Sequence, residues 1–377
     1  MKSVNNKIKV FVGLSGGVDS AVGSALLLKQ GYDVTGVFIK VWQPDWLECN
    51  WKEERLSAMR VAAHLGIPFV TLDLEEVYKK EVVDYMISEY DAGRTPNPDV
   101  MCNRHVKFGA FWNWAKSKGA TYIATGHYAR NIETVTTGSD GFSLKTGIDD
   151  NKDQSYFLWT LNQNDLKHVL FPVGDIKKPD VRKLAKKFRL PNAEKKDSQG
   201  VCFIGKIDFK KFLSHYIKTE PGNVLDESGK VIGTHSGSTL LTIGERHGFT
   251  IDKKTPNDKP FYVISKDRLN NTITVSNRVP DEIQHGSLTI ARISNVNWVA
   301  DQIPKDKLSP SNSSSSSPFN LKARCRYRQE LENVRIKEAS GTKAVIEFEK
   351  PQNALTPGQS LVIYDGEMCL GGGIIEV

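Results

Sequence analysis

"IKVFVGLSGGVDSAVGSALLLKQG" (8–31) decides the fold. Its first seven residues are almost all apolar, as in a strand buried on both faces of a parallel sheet. Its last twelve read as a helix that ends on Gly31 at the C-cap. Between them lies Gly13-Leu14-Ser15-Gly16-Gly17-Val18-Asp19-Ser20, a tight strand-to-helix turn. Its glycines permit close backbone approach, and the helix N-terminal amides with the Ser15 and Ser20 hydroxyls suit phosphate oxygens. The string lacks the Gly-Lys-Ser/Thr ending of a Walker loop and the spacing of a dinucleotide fingerprint. The bland alternative is a glycine turn with a capped helix.

Outward from this unit the alternation continues. "DVTGVFI" (33–39) and "IPFVTLDL" (67–74) read as strands, and "EERLSAMRVAAHLG" (53–66) as a helix closing on Gly66. A long amphipathic helix follows over 75–93, then a polar loop, a helix over 107–119 and a strand over 121–126. The expectation is an α/β fold with a doubly wound, mostly parallel sheet over 1–206. Beyond it, short alternating runs separated by Gly, Asn and Pro predict two small β-rich domains, 207–284 and 285–377. The second is expected to be a β-barrel carrying a Ser-rich excursion at 309–318.

Composition narrows the function classes. The 377 residues are 39% hydrophobic and 25% charged, enough to build cores without staples. No apolar run approaches the ~18 residues of a membrane span, and the lysine-bearing start runs directly into a strand. A soluble cytoplasmic chain with no membrane partner is expected. The five cysteines, Cys49, Cys102, Cys202, Cys325 and Cys369, form no CxxC pair, which argues against a disulfide scaffold or structural zinc and leaves no metal ligand to name. Cys49 and Cys369 read as structural. The net charge of +7 suits an anionic partner.

Two of the cysteines sit in loops with chemistry. In "GRTPNPDVMCNRHVKFGAF" (93–111), Pro96 and Pro98 fix an extended loop and Asp99 offers a carboxylate. Cys102 lies just ahead of a helix beside Arg104, His105 and Lys107, a setting that favours thiolate. In "KKDSQGVCFIG" (195–205), Cys202 follows Lys195 and Lys196. Alone, either thiol reads equally as a small buried hydrophobe. Together, behind a phosphate-binding turn, they suggest a sulfur relay, in which one thiol attacks a persulfide on the other and leaves a disulfide.

The turn SGGVDS resembles the PP-loop of the ATP pyrophosphatases, of the adenine nucleotide alpha hydrolase-like fold. With it occur "GRTPNPDVMCNRHVKF", "ATGHYAR" (124–130), "KDQSYFLW" (152–159), "KKDSQGVCFIG", "TIGERHG" (242–248), "ARCRYRQ" (323–329) and "TPGQSLVIYDGEMCLGGGII" (356–375). In this order they resemble the tRNA-specific 2-thiouridylase family over essentially the whole chain. Two departures are Gln199, where that family usually has Thr, and Glu245, where it usually has Gln.

The resemblance implies that ATP, with Mg2+ expected beside it, binds Gly13 to Ser20, with Ile39 and Gly126 at the adenosine. The C2 oxygen of the wobble uridine of the tRNA anticodon stem-loop (position 34) is adenylated. Cys202 carries a persulfide from an upstream donor protein, Cys102 releases its sulfur, and a transient Cys102–Cys202 disulfide awaits a cellular reductant. Asp99 is the implied general acid/base. Implied tRNA contacts are Asn97, Pro98, Asp99, His127, Lys152, Asp153, Gln154, Arg326, Tyr327 and Gln359. The residues agree in kind: on one strand, Arg324, Arg326 and Arg328 would share a face. Between 177 and 196 nine Lys/Arg oppose two Asp/Glu, a local excess equal to the +7 of the whole chain. The amphipathic helix "PDVRKLAKKFRLP" (179–191) is therefore expected to track tRNA phosphates. Two other readings stay open: a PP-loop amidotransferase or ligase that needs no cysteines, and a catalytically silent RNA-binding module.

Overall fold

The computed structural model describes residues 7–46, 51–136, 139–197, 209–253, 259–278, 288–301, 319–352 and 355–376. Cys49, Gln199, Cys202 and the Ser-rich stretch 309–318 lie outside the described residues.

Seven strands are described in the first 170 residues: β1 (Lys9–Gly13), β2 (Asp33–Lys40), β3 (Phe69–Asp73), β4 (Tyr122–Ala124), β5 (Ala129–Thr136), β6 (Ser139–Thr146) and β7 (Val169–Leu170). Five of them form a parallel sheet in the order β3-β2-β1-β4-β7. Successive side chains of β1 enter different cores, because strand residues alternate between faces. Val10 and Val12 join Val18, Ala21 and Val22 of α1 (Val18–Lys29), Ala58 and Val61 of α2 (Trp51–Leu65), and Val181 and Ala185 of the helix Lys178–Lys187. Phe11 joins Tyr78, Val82 and Met86 of α3 (75–91) and Val106, Phe108 and Phe111 of α4 (98–117). The sheet is thus wound on both sides as expected. Its strand order reverses between β1 and β4, which opens a ligand crevice above their carboxyl ends.

α4 starts nine residues before the expected 107. Asn97 caps it, its side-chain oxygen accepting the Val100 amide at 3.3 Å, and Pro98 supplies a pre-set φ in the first turn. Cys102 therefore lies inside the helix, where a π-helical stretch Cys102–Ala110 begins. Such widened turns concentrate at functional sites.

After a helix at Phe209–Tyr216, the regular structure among the described residues is mainly β. A five-stranded sheet, β10-β9-β8-β12-β11, comprises β8 (Gly222–Leu225), β9 (Val231–His235), β10 (Phe249–Ile251), β11 (Tyr262–Asp267) and β12 (Thr272–Ser276). Six antiparallel strands follow: β13 (Leu288–Trp298), β14 (Leu321–Arg324), β15 (Glu332–Ser340), β16 (Lys343–Gln352), β17 (Ser360–Asp365) and β18 (Met368–Ile375). Pairing of β13 with β18 closes them into a barrel. The hairpin β5–β6, from the α/β part of the chain, lies along the barrel through β6 and β18. One core also runs across this junction, joining Tyr156, Leu158 and Trp159 to Val362, Tyr364 and Cys369.

The expected arginine face is not formed. β14 ends at Arg324, and Arg328 has a left-handed φ of 64°. The chain turns after Cys325, so the three side chains diverge: Arg324 into the junction, Arg326 toward Ile243, and Arg328 over the Tyr327 ring.

Candidate nucleotide and RNA site

The Gly13–Ser20 turn caps the carboxyl end of β1. Gly17 stands at the helix N-cap without a side-chain cap, so the first-turn amides of α1 have no side-chain acceptor there. Within the turn, Ser20 Oγ accepts from the Ser15 amide and Ser15 Oγ from the Gly17 amide, both at 3.3 Å. These hydroxyls hold donors that a phosphate would otherwise take. Gly16 has φ +78° and its added Cβ would fall 2.5 Å from the Glu54 carbonyl, so glycine is required on both counts. Its carbonyl accepts from Ser57 Oγ at 3.0 Å, Asn192 Nδ2 at 3.0 Å and Lys195 Nζ at 3.2 Å. Gly126, just past β4, comes so close that a Cβ there would lie 2.7 Å from the Ser20 nitrogen. Ile39 is buried on β2. Of the ATP residues implied by the resemblance, the Gly13–Ser20 turn and Gly126 thus meet at the β1/β4 crevice, while Ile39 lies one strand away on β2.

Asp19 anchors the turn. Lys178 Nζ lies 2.6 and 2.8 Å from its two oxygens, and the Tyr128 hydroxyl donates to Oδ1 at 2.8 Å. Burial, reinforced by the Asp19 charge, pushes the Tyr128 hydroxyl far up, so it stays a donor. Lys178 also reaches Asp197 at 2.9 Å, which binds Lys152 at 2.7 Å and Arg182 at 2.6 Å. Burial works against the Asp197 carboxylate, but the Lys152 and Lys178 hydrogen bonds hold its pKa far below the usual range. The cations of the 177–196 stretch therefore divide. Lys178, Arg182 and Lys195 turn toward the nucleotide turn and Asp197, while Lys183 and Lys186 pair at the surface with Asp180 and Glu194. Changing Lys183 and Lys187 together to Glu is expected to weaken tRNA binding and flatten its salt dependence while sparing ATP affinity. Filter binding over a salt series checks this, and unchanged affinity returns the helix to a merely solvated face.

The 94–99 loop is held from the barrel side. Gln359 Nε2 donates to the Thr95 carbonyl at 2.9 Å and the Pro96 carbonyl at 3.1 Å, and the Thr95 amide donates to the Pro357 carbonyl at 2.8 Å. Gln359 thus supports the loop that presents Asn97, Pro98 and Asp99. Cys102 is buried one turn further on, 1% exposed. His127 is buried between Phe108 of α4 and Phe171, its Nδ1 2.7 Å from Thr125 Oγ1. Burial, then the Lys107 charge, drives its pKa well down, so the ring is neutral. Since His127 follows Gly126, one short segment touches both the nucleotide turn and α4.

The 152–154 loop looks inward. Gln154 exchanges two hydrogen bonds with Tyr128, at 3.0 and 2.8 Å. Asp153, 5% exposed, is ion-paired with Arg324 and accepts from Ser155 Oγ at 3.0 Å and the Gly147 amide at 3.1 Å. Tyr327 packs on Phe157 with ring centroids 4.6 Å apart. Cys325 and Cys369 are buried, and burial pushes each thiol up to about 12, which favours the protonated form. Among the described residues no group of three His, Cys, Asp or Glu side chains is placed to hold a metal. Among them, too, no helix is long and apolar enough to cross a membrane.

Residues 8–206 match the family described as the tRNA methyl transferase HUP domain, 210–277 its PRC-barrel domain, and 289–375 the aminomethyltransferase beta-barrel domain. Over 379 residues the chain is 42% identical to the tRNA-specific 2-thiouridylase MnmA of Geobacillus thermodenitrificans, covering 100% of this chain and 96% of that one. It is also 42% identical to the proteins of that name from Listeria innocua, over 100% and 96% of the two chains, and Streptococcus mutans, over 99% and 96%. The chain belongs to the tRNA-specific 2-thiouridylase family. Three residues that hold the Gly13–Ser20 turn escaped the sequence reading: Lys178, Tyr128 and Asn192. Lys178 opens a Pro-started helix amid other lysines, and nothing in its spacing marks it as the partner of Asp19, 159 residues away.

Proposed function

We propose that the chain is a tRNA-uridine 2-sulfurtransferase that works in the cytoplasm. Support comes from the full-length kinship with 2-thiouridylases together with one observation: the Gly126–His127 segment brings the phosphate-binding turn and the Cys102 helix to the same end of one sheet.

ATP sits with its phosphates on the Gly13–Ser20 amides and its adenosine along Ile39 and Gly126. The uridine C2 oxygen attacks the α-phosphorus, pyrophosphate leaves, and C2 now bears AMP as a leaving group. Cys202 carries a persulfide delivered by an upstream donor protein. Cys102, as thiolate, attacks the Cys202 Sγ; the S–S bond breaks toward the outer sulfur, and a Cys102–Cys202 disulfide forms. The released sulfide adds to C2 and AMP departs, leaving 2-thiouridine. A cellular reductant supplies two electrons to restore both thiols. In the alternative order, the outer persulfide sulfur attacks C2 first and Cys102 then resolves the adduct; the products are the same. Asp99 moves the proton at the target base. Magnesium, expected with ATP, neutralises phosphate charge, with no protein ligand assigned to it.

Pyrophosphate release from ATP is expected to require tRNA with uridine at position 34. Release that is equally fast without RNA overturns adenylation of the base and favours a ligase acting on another acceptor.

A further inference from the structure

Two carbonyls of the Gly13–Ser20 turn face inward, onto residues from outside it. Asn192, in "LPNAEKKD" (190–197), is 6% exposed, and its Nδ2 donates to the Gly16 and Gly17 carbonyls, each at 3.0 Å. The Gly16 carbonyl also takes the Ser57 hydroxyl at 3.0 Å and the Lys195 ammonium at 3.2 Å. Lys195 is kept there by Glu54 of α2, 2.5 Å away. The Gly17 carbonyl takes Ser20 Oγ at 3.3 Å and the Ala21 amide at 3.4 Å as well. The segment that carries Asn192 is itself fixed: Arg182 Nη1 donates to the Ala193 and Lys195 carbonyls at 3.2 and 2.5 Å, and its Nη2 to Asp197 at 2.6 Å.

A trans peptide is planar, with its N–H directed away from its C=O. Turning both carbonyls toward Asn192 therefore turns the Gly17 and Val18 amides to the opposite side. The Gly17 amide does point that way, since its long 3.3 Å bond is to the hydroxyl of Ser15 on the exposed rim of the turn. Hydrogen bonds to a carbonyl also polarise its peptide and strengthen the N–H at the other end. Lys195 adds a positive charge behind the same peptide. Packing alone does not explain an asparagine here. Asn192 Oδ1 is buried with no hydrogen-bond partner among the described residues, a penalty that an apolar side chain of similar size would avoid. What the amide contributes is its grip on the two carbonyls.

We propose that Asn192, with Lys195 beside it, is a positioning residue for the triphosphate: by holding the Gly16 and Gly17 carbonyls it aims the Gly17 and Val18 amides at a phosphate oxygen of ATP. The proposal rests on the ATP reading above and deepens it. Part of the turn's preference for phosphate over the bare nucleoside is set from outside the turn, by the segment 192–195.

The test is isothermal titration calorimetry of the full chain with adenosine and with the α,β-methylene analogue of ATP, the ratio of the two affinities measuring what the phosphates add. Adenosine reports the pocket at Ile39 and Gly126, and so controls for folding. In Asn192→Ala the analogue is expected to bind about tenfold more weakly and adenosine as in the wild type, so the ratio falls about tenfold. Lys195→Met lowers the ratio about threefold in the same way. An unchanged ratio in either variant, whether because neither ligand is affected or because both weaken together, overturns the role while the wild-type preference for the analogue keeps the ATP reading standing. A wild-type chain that binds the analogue no better than adenosine refutes the ATP reading itself, and the role falls with it.

Discussion

Cys102→Ser protein supplied with tRNA, ATP and a persulfide source is expected to release pyrophosphate yet form no 2-thiouridine, a loss of roughly a thousandfold or more in thiolation. The substitution is close to isosteric at a position that is 1% exposed, so the core of α3 and α4 should be kept. What changes is the nucleophile. A serine hydroxyl, ionising far above neutral pH, cannot attack a persulfide sulfur, while adenylation by the Gly13–Ser20 turn makes no use of the thiol. Cys202→Ser should share the phenotype, because it removes the persulfide carrier. Quantifying AMP, pyrophosphate and thiolated nucleoside in parallel separates the half-reactions. Thiolation at a normal rate by either variant would refute the relay, and loss of pyrophosphate release as well would show that the cysteines serve the fold or the ATP site.

The second large effect is on stability. Asp153 and Arg324 are buried against each other, with side chains 5% and 9% exposed, where the α/β part of the chain meets the barrel. Arg324 also contacts the Tyr364 hydroxyl at 3.0 Å. Removing one partner strands a charge in a low-dielectric junction, at a cost of about 3–5 kcal/mol, whereas replacing both with apolar residues of similar size is often near neutral. Asp153→Ala should therefore lower the urea midpoint strongly without RNA present, and Asp153→Leu combined with Arg324→Met should recover most of the loss. If Asp153→Ala is as stable as the wild type and only tRNA binding falls, Asp153 acts as an RNA contact rather than as the clamp between domains.

The two outcomes bear on how far the residues could be read directly. The strand-turn-helix at 8–31 carries its own evidence, because a continuous apolar run, a glycine turn and a 3.6-residue pattern each report local structure. The barrel strands were legible as alternation, apart from β14, whose end at Arg324 depends on the chain turning after Cys325. Reading Pro96 and Pro98 as an extended loop with a helix from 107 misses the start of α4 at 98, although Asn97-Pro98-Asp99 carries the cap, the first-turn proline and the first-turn acid of a helix N-terminus. Long-range charge pairing was not legible. Arg324 and Arg326 are alike in spacing, yet one is clamped by Asp153 and the other is held by a carbonyl and a hydroxyl. Likewise the basic run at 177–196 divides by helix face, so its net charge overstates what reaches solvent. Such differences arise from tertiary contacts, up to 171 residues apart for Arg324 and Asp153, and local periodicity has no access to them.

The most direct test is mass spectrometry of anticodon nucleosides after the purified chain is incubated with unmodified tRNA, ATP and a sulfide source. The expected result is one sulfur-for-oxygen replacement at the wobble uridine, dependent on ATP and absent when the α,β-bridging oxygen of ATP is replaced by a non-cleavable methylene. Unmodified uridine, under conditions where the chain binds both tRNA and ATP, would contradict it.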